Sequence, residues 1–331
     1  MRRRDFIKVI AGSTVGWPLA AHAQQSERVP RIGVLMAFDE SDARAQNWLF
    51  RFSQELSGLG WTANRKPRMD VRWAGDNVDR MRMFAKELVG LKPDVILSFG
   101  TPVTAALQRE THTIPIVFAI VSDPVGEGFV VSLSHPGGNI TGFHNSEASI
   151  GGKWLELLKQ IAPGISRAAM IFNPDTAPGH GRYYMPAFET SGRSLNVEPI
   201  AAPVHSVADL EDVIADLGRK HDSGFVAMAD FFLFINRAKA ISLAERYKVP
   251  AVYPWRDVVQ AGGLLSYGPD LEDIVRRAAP YVDRVLRGEK PANLPVQVPI
   301  KFDVSVNVKT AKALGLEVPQ SILVSADQVI E

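Results

Sequence analysis

The chain has 331 residues, of which 46% are hydrophobic and 22% charged, and this length predicts two globular domains rather than one small module. The composition leaves little room for long disorder or for a multi-pass membrane protein, and the near balance of 37 basic and 36 acidic residues gives no support to a nucleic-acid partner. The chain has no cysteine, which excludes disulfides, thiolate metal sites, a cysteine nucleophile and a lipid-bearing cysteine.

The N-terminal segment has the pattern of an export signal. Three arginines at positions 2–4 precede thirteen largely apolar or small residues, 9–21, which are too few to span a bilayer as a helix. Ala21-His22-Ala23 matches an A-x-A cleavage site, and Arg3-Arg4-Asp5-Phe6-Ile7-Lys8 is similar to a twin-arginine export signal. We expect residues 1–23 to be cleaved and the mature protein to reach the periplasm of a Gram-negative bacterium; a basic helix start is the alternative.

Residues 30–121 alternate between strand and helix patterns. The compact apolar run at 31–36 predicts a strand, and apolar residues at helical spacing predict a helix over 42–60. Alternation of this kind is typical of parallel βαβ units. The further elements predicted here are strands at 70–73, 94–99 and 115–121 and helices at 79–89 and 102–110.

Residues 122–145 interrupt this rhythm with many glycine, proline and asparagine residues, which indicates connecting chain and a domain boundary. A second alternating series then repeats the first architecture. Its predicted elements are helices at 151–161, 181–193, 207–218 and 236–247 and strands at 168–172, 197–201, 224–228 and 251–253.

The tail holds a strand at 263–267, a helix at 271–286 and a strand at 301–306, which is too little for a third domain. We expect it to return and complete both lobes, so that several chain crossings form a hinge. The sequence therefore predicts an α/β fold of two Rossmann-like lobes with parallel sheets. The predicted segments are 30–122 plus 263–290 for the N-terminal lobe and 123–262 plus 291–331 for the C-terminal lobe.

Open parallel sheets bind ligands beyond the carboxyl ends of their strands, so these positions are the first candidates for a binding site. Thr101 stands before Pro102, where it is expected to cap a helix whose free amides could hold a carboxylate or a phosphate; capping alone also explains this threonine. Asp123 and Asp230 could accept hydrogen bonds from a ligand amine or hydroxyl, although Asp123-Pro124 is also a common start of a turn.

Aromatic residues also follow the predicted strands. Phe38, Phe231 and Trp255 stand at strand ends, where their faces would suit a flat or apolar ligand or a cation. Phe232 and Phe234 are instead expected in the core, which is the commoner place for phenylalanine.

Enzyme motifs are absent from the sequence. It contains no phosphate-binding loop, no complete G-x-G-x-x-G, no G-x-S-x-G and no H-E-x-x-H, and the histidines after residue 23 lack metal-ligand spacing. An exported α/β hydrolase that uses Asp123 or Asp230 as acid or base is the alternative from another class. Such an enzyme needs a nucleophile and a base within hydrogen-bond reach, and spacing assigns neither.

Several short motifs follow one another along most of the chain. They are Arg3-Arg4-Asp5-Phe6, Gly100-Thr101-Pro102, Ile114-Pro115-Ile116-Val117-Phe118, His135-Pro136-Gly137-Gly138-Asn139-Ile140-Thr141-Gly142, Ala261-Gly262-Gly263-Leu264-Leu265-Ser266-Tyr267-Gly268 and Gly288-Glu289-Lys290-Pro291-Ala292-Asn293-Leu294-Pro295. In this order they resemble periplasmic substrate-binding proteins of ABC transporters, in the branch that includes tryptophan and tyrosine binders.

The resemblance implies a type I periplasmic-binding fold, with two lobes joined by three crossings that close on a solute. It implies ABC permease subunits of the inner membrane as partners, with no cofactor and no metal. One departure concerns the loop at 228–232, which lacks the proline that the family often has there. The binding residues that the resemblance favours, beside Phe231 from the strand-end argument, are Phe38, Thr101, Asp123, Asn173, Asp230, Trp255 and Tyr267.

We therefore expect a non-catalytic, monomeric receptor that captures a small molecule in the periplasm and does not bind nucleic acid. An amino acid, a purine or an aromatic acid would each suit an aromatic cleft with two acids. A sensory binding module that feeds a signalling partner would use the same cleft, and the sequence does not separate it from a transport receptor.

Overall fold

The computed structural model describes residues 29–62, 65–75 and 77–331, so the expected export signal at 1–23 lies outside the described residues. The first lobe contains a five-stranded parallel sheet in the order β2-β1-β3-β4-β5. Its strands are β1 (Arg31–Met36), β2 (Arg68–Trp73), β3 (Val95–Phe99), β4 (Ile116–Val121) and β5 (Ile140–His144), and its first three helices are α1 (Ala43–Gly58), α2 (Val78–Gly90) and α3 (Thr101–Glu110).

The second lobe contains a seven-stranded sheet in the order β12-β11-β10-β9-β8-β6-β7, parallel except for the antiparallel pair β10 and β11. Its strands are β6 (Arg167–Phe172), β7 (Glu198–Pro203), β8 (Ser223–Ala227), β9 (Ala251–Tyr253), β10 (Leu265–Pro269), β11 (Phe302–Asn307) and β12 (Gln328–Ile330). The remaining helices, of which α10 packs on the first lobe, are α4 (Ile150–Ile161), α5 (Met185–Leu195), α6 (Val207–Arg219), α7 (Phe231–Ile235), α8 (Arg237–Tyr247), α9 (Arg256–Gln260), α10 (Leu271–Leu286), α11 (Val308–Ala313) and α12 (Gln320–Ser325).

Burial explains why these segments form these elements. Every residue of β4 is buried, as expected for a strand covered by helices on both faces of a parallel sheet. In α1, Trp48, Phe52 and Leu56 are buried at a spacing of four residues, which places one apolar stripe against the core. Asp42 accepts hydrogen bonds from two amides of the first turn of α1 and fixes where this helix begins.

The chain crosses between the lobes three times, at residues 145–149, between β10 and α10, and at residues 298–301. Helix α10 belongs to the first lobe, because the Tyr281 ring contacts the Phe143 ring at 4.8 Å and Asp283 accepts a 2.8 Å hydrogen bond from the Trp61 indole. None of the helices described has the length and hydrophobicity that a bilayer crossing requires.

The structure corrects three of the predicted lobe assignments. Residues 140–144, predicted as connecting chain in the second lobe, form β5 at the edge of the first sheet. Strand β10, predicted in the first lobe, pairs with β9 and β11 in the second sheet. Residues 291–297 stay on the first lobe, where the Leu294 carbonyl accepts a 2.5 Å hydrogen bond from Thr141 Oγ1. Pairing between strands decides these memberships, and the pattern within one segment does not report which strands pair.

Candidate ligand-binding site

A cavity lies between the two lobes, where the strands of both sheets end, and it encloses about 430 Å³ when the adjoining solvent-open space is included. In the first lobe it is lined by the last residues of β4 and by residues that follow β1, β3, β4 and β5, and in the second lobe by residues that follow β6, β8 and β9. The lining residues are Phe38, Gly100, Thr101, Pro102, Ile120, Ser122, Asn145, Thr176, Pro178, Ala229, Asp230, Phe231, Phe234 and Trp255.

Four aromatic rings form the apolar wall of this cavity. Phe38 comes from the first lobe, and its ring centroid lies 5.5 Å from Phe231 and 5.2 Å from Phe234, which both come from the second lobe. The Phe234 ring lies 4.7 Å from Trp255, and all these pairs meet edge to face. The two lobes are therefore in direct apolar contact beside the cavity.

Asp230 is the one ionisable side chain among the described residues that line the cavity, and it is buried. Its carboxylate accepts hydrogen bonds from the backbone amide of Leu233 in the first turn of α7, from the backbone amide of Asn173 and from the hydroxyl of Thr176. Burial raises the pKa of Asp230 to about 7, although these hydrogen bonds lower it. The carboxyl thus holds the loops after β6 and β8 together and titrates near neutral pH.

The first lobe contributes hydroxyl and amide groups. The sequence predicted Thr101 as the cap of α3. The cap is instead Gly100, whose φ of 110° suits glycine, and Thr101 is the first residue of the helix. Thr101 Oγ1 accepts a 3.2 Å hydrogen bond from the Ser122 amide, and Ser122 Oγ donates to Asn145 Oδ1 at 2.9 Å. These side chains form a connected polar edge to the aromatic wall. No cluster of histidine and carboxylate side chains within the described ranges is arranged to hold a metal ion.

Residues 50–330 match the family model for ABC transporter substrate binding proteins. The chain belongs to this family. Its members bind solutes and are not enzymes, so the hydrolase alternative is wrong. The chain is 26% identical over 267 residues to a tyrosine-binding protein of Clostridioides difficile, covering 80% of this chain and 76% of that protein.

Solved structures show the same fold. A conserved domain protein from Vibrio cholerae matches with a TM-score of 0.83 and 26% identity, over 91% of this chain and 100% of that one. A protein domain from Streptococcus pneumoniae in complex with L-Trp matches with a TM-score of 0.83 and 23% identity, over 91% and 99% of the two chains. The type I periplasmic-binding fold predicted from the sequence is confirmed.

Of the eight binding residues predicted for this substrate-binding protein, five line the cavity: Phe38, Thr101, Asp230, Phe231 and Trp255. Three do not. Asp123 adopts a left-handed backbone conformation with a φ of 45°, and its carboxylate accepts a 2.9 Å hydrogen bond from the Gly126 amide within a turn. Tyr267 stacks on Phe302 with the ring centroids 5.7 Å apart, away from the cavity.

Asn173 lies behind the cavity and not in its lining. Its backbone amide donates a 2.9 Å hydrogen bond to the Asp230 carboxylate, and its side-chain oxygen accepts a 2.8 Å hydrogen bond from the backbone amide of Asp175. Asn173 therefore supports the loop that carries Thr176 into the cavity wall. It is buried by the same contacts that hold Asp230.

Sequence reasoning missed Asn145 and Thr176, and it expected Phe234 in the core, where this ring is buried but also lines the cavity. Asn145 directly follows β5, so recognising that strand would have identified it. Phe234 lies three residues after Phe231 on the short helix α7, and this i, i+3 spacing places both rings on one side. Asp230, which caps α7, was the available signal for Phe234, but the sequence analysis did not recognise it as the start of a helix.

The first crossing lies beside the cavity and is held by a buried histidine. His144 Nε2 accepts a 3.3 Å hydrogen bond from the Asp123 amide and lies 3.4 Å from the Tyr183 hydroxyl. Ser146 and Tyr184 share a 2.5 Å hydrogen bond between their hydroxyls. Burial lowers the pKa of His144 to about 4, so this hinge contact is made by a neutral imidazole.

Proposed function

We propose that this chain is the solute receptor of an ABC importer, working in the periplasm of a Gram-negative bacterium and exported by the twin-arginine route through residues 1–23. It holds an amino acid or another aromatic or heterocyclic solute between its lobes, closes by rotation at the three crossings, and presents the closed form to a permease in the inner membrane. The observation that carries this proposal is a cavity lined by both lobes at the ends of facing strands.

The chemistry of the cavity favours an aromatic solute of low net charge. Four rings supply a flat apolar surface, and Thr101, Ser122, Asn145 and Thr176 supply hydroxyl and amide groups that can fix the orientation of a ligand. No cationic side chain is among the described lining residues, which disfavours phosphorylated and other strongly anionic solutes. The tyrosine-binding relative and the complex with L-Trp support the same class of ligand.

Native mass spectrometry of the purified chain tests this proposal first, because a tightly held solute remains bound and reports its mass. Thermal shift then compares L-tryptophan, L-tyrosine and purines, since a ligand at about 100 times its Kd adds about 2.7 kcal/mol of stability. A stabilising aromatic compound supports the proposal. Stabilisation by anionic or aliphatic solutes alone would contradict it.

A pair of variants tests whether binding occurs in this cavity. Trp255→Ala removes a ring from the wall and is expected to weaken binding of the identified solute at least tenfold. Tyr267→Phe is the matched control, because this half-buried aromatic residue of the same lobe lies outside the cavity and should leave affinity within about twofold. Equal effects of the two changes would place the binding site elsewhere.

Transport and sensing differ in the partner. Deletion of the gene should abolish uptake of the solute if the chain serves a permease, and restoring it should restore uptake. Unchanged uptake, together with loss of a transcriptional response to the solute, would identify the chain as a sensory module instead.

A further inference from the structure

Four charged side chains meet across the cleft at the edge of the cavity. Asp42 and Arg44 belong to the first lobe, and Arg237 and Asp257 belong to the second. The Arg44 guanidinium pairs with Asp257 across the cleft and lies 3.3 Å from Asp42 within its own lobe. Arg237 lies 3.7 Å from Asp42 across the cleft and 3.7 Å from Asp257. Each arginine therefore contacts a carboxylate of both lobes, and we call these four residues the interlobe ion cluster.

The positions of the two arginines are not explained by helix stability. Arg44 is the second residue of α1 and Arg237 is the first residue of α8, where the helix dipole disfavours a positive charge. Asp42 and Asp257 stand at or next to helix starts, where the dipole favours them. The cross-lobe contacts offset this unfavourable position, together with Asp42 beside Arg44 and the Phe234 carbonyl, which accepts a 2.7 Å hydrogen bond from Arg237.

Both arginines also contact a residue of the cavity wall. The Cζ atom of Arg44 lies 4.2 Å from the centre of the Phe234 ring, and that of Arg237 lies 5.3 Å from it. The same ring contacts Phe38 and Trp255 on the cavity side. Because Arg44 belongs to the first lobe and Phe234 to the second, separation of the lobes breaks this contact together with the ion pair.

The cluster is partly shielded from water, since the four side chains are only 17–27% exposed. Burial raises the pKa of Asp42, but Arg44 and the amides of α1 lower it, and the net result is a pKa below the ordinary value. Burial, together with the charge of Arg44, lowers the pKa of Arg237, although Asp257 and Asp42 raise it. Two positive and two negative charges thus balance at a site where salt screens them less than on an open surface.

We propose that the interlobe ion cluster is a latch that favours the closed arrangement of the lobes. Arg44 and Arg237 are positioning residues that act on solute affinity through Phe234, because closing the latch places this ring against the cavity. The latch extends the proposed function. Its action on the lobes depends on charges outside the cavity and does not depend on which solute binds.

Distance measurement across the cleft tests the latch without a solute. The chain has no cysteine, so Lys86→Cys and Asp212→Cys place one spin label on an exposed helix position of each lobe. In doubly labelled protein dialysed free of small molecules, Arg44→Gln is expected to move the pulsed-EPR distance distribution away from that of the parent, and so is Asp257→Asn. The shift in the combined variant should be little larger than the shift in either single variant, because both changes break the same contact.

Arg256→Gln is the matched control. It removes an arginine that pairs with Asp303 at 3.3 Å within the second lobe and stands next to Asp257 in the chain. This control should leave the distance distribution unchanged. Superimposable distributions for the parent, Arg44→Gln and Asp257→Asn would overturn the latch, and so would an equal shift in Arg256→Gln.

Salt supplies a measurement that does not depend on how well a variant folds. Raising sodium chloride from about 0.05 M to 0.5 M shortens the Debye length from roughly 14 Å to 4 Å and should move the parent towards the distribution of the variants. The combined variant keeps only the Arg237–Asp42 pair across the cleft and should respond less than the parent. An equal response of both proteins would overturn the proposal.

Affinity for L-tryptophan tests the link to the cavity. We expect Arg44→Gln to weaken binding about fivefold and Arg256→Gln to change it less than twofold. Equal affinities of the parent and Arg44→Gln would overturn the positioning role. Failure of the parent itself to bind L-tryptophan counts against the proposed solute class, in which case the solute found by mass spectrometry replaces it as the probe; the distance measurement is unaffected.

Discussion

Each lobe carries an aspartate a few residues beyond a central strand, and the two have different roles. Asp230, after β8, caps α7, is buried and lines the cavity, whereas Asp123, after β4, closes a turn and is not among the lining residues. The residues that follow decide the difference. Pro124 and Gly126 continue the chain after Asp123 as a turn, while an apolar helix follows Asp230. A strand end therefore specifies where the backbone lies, and the residues that follow decide whether the side chain lines the cavity.

Replacing each aspartate by alanine tests this comparison with the largest expected effect. Asp230→Ala leaves the amides of Asn173 and Leu233 without an acceptor in a buried place, and should cost about 3 kcal/mol of unfolding free energy. Asp123→Ala should cost about 1 kcal/mol, because its turn is partly exposed to water. Urea denaturation measures both, and equal losses would contradict the different roles.

The pH dependence of stability sharpens the same contrast. Asp230 has a pKa of about 7 in the folded state and an ordinary pKa near 3.8 when unfolded, so only the folded state holds the proton between these values. The stabilisation is present at low pH and is lost as pH rises through 7. From pH 5 to pH 7 the parent should lose about 2 kcal/mol relative to Asp230→Asn. Parallel stability curves for the two proteins would refute this assignment.

The Asp123 side of the cleft should show the opposite pH response through His144. Its pKa of about 4 in the folded state lies below the ordinary value of 6.5, so the unfolded chain binds a proton that the folded state does not. Stability is complete above pH 6.5 and falls towards pH 4. From pH 7 to pH 5 the parent should lose about 1–2 kcal/mol of unfolding free energy relative to His144→Gln. Equal changes in the two proteins would show that this imidazole is exposed to water in the folded state.

The smallest effect concerns the turn itself. A Cβ at Gly126 would lie 2.0 Å from Asp123 Oδ2, so Gly126→Ala must displace the carboxylate from its amide. We expect a loss of about 1 kcal/mol in the parent and little further loss in the Asp123→Ala background. Additive losses would show that the turn does not depend on this carboxylate.

The sequence predicted the elements better than their partners. Local spacing located β1 and α1 within one or two residues, because an apolar run and an apolar stripe are visible without any distant contact. The predictions for residues 140–144 and for the sheet of β10 were wrong, because the pairing of β5 with β4 and of β10 with β9 and β11 is a tertiary contact that spacing within one segment does not report.

The candidate site follows the same rule. Phe38 and Trp255 were predicted because they stand next to correctly recognised strands. Asn145 follows the strand that the sequence missed, and Phe234 stands on a five-residue helix too short for its periodicity to be read. Asp123 satisfied the same strand-end rule as Asp230, but it has a left-handed backbone conformation within a turn and does not line the cavity.

The central claim is that both lobes share one solute in the cavity between them. A crystal structure of the chain with the compound that co-purifies with it tests this most directly. We predict that the compound lies between Phe38 of the first lobe and Trp255 of the second, with polar atoms near Asp230. A compound bound outside the cleft, or in contact with one lobe alone, would contradict the account.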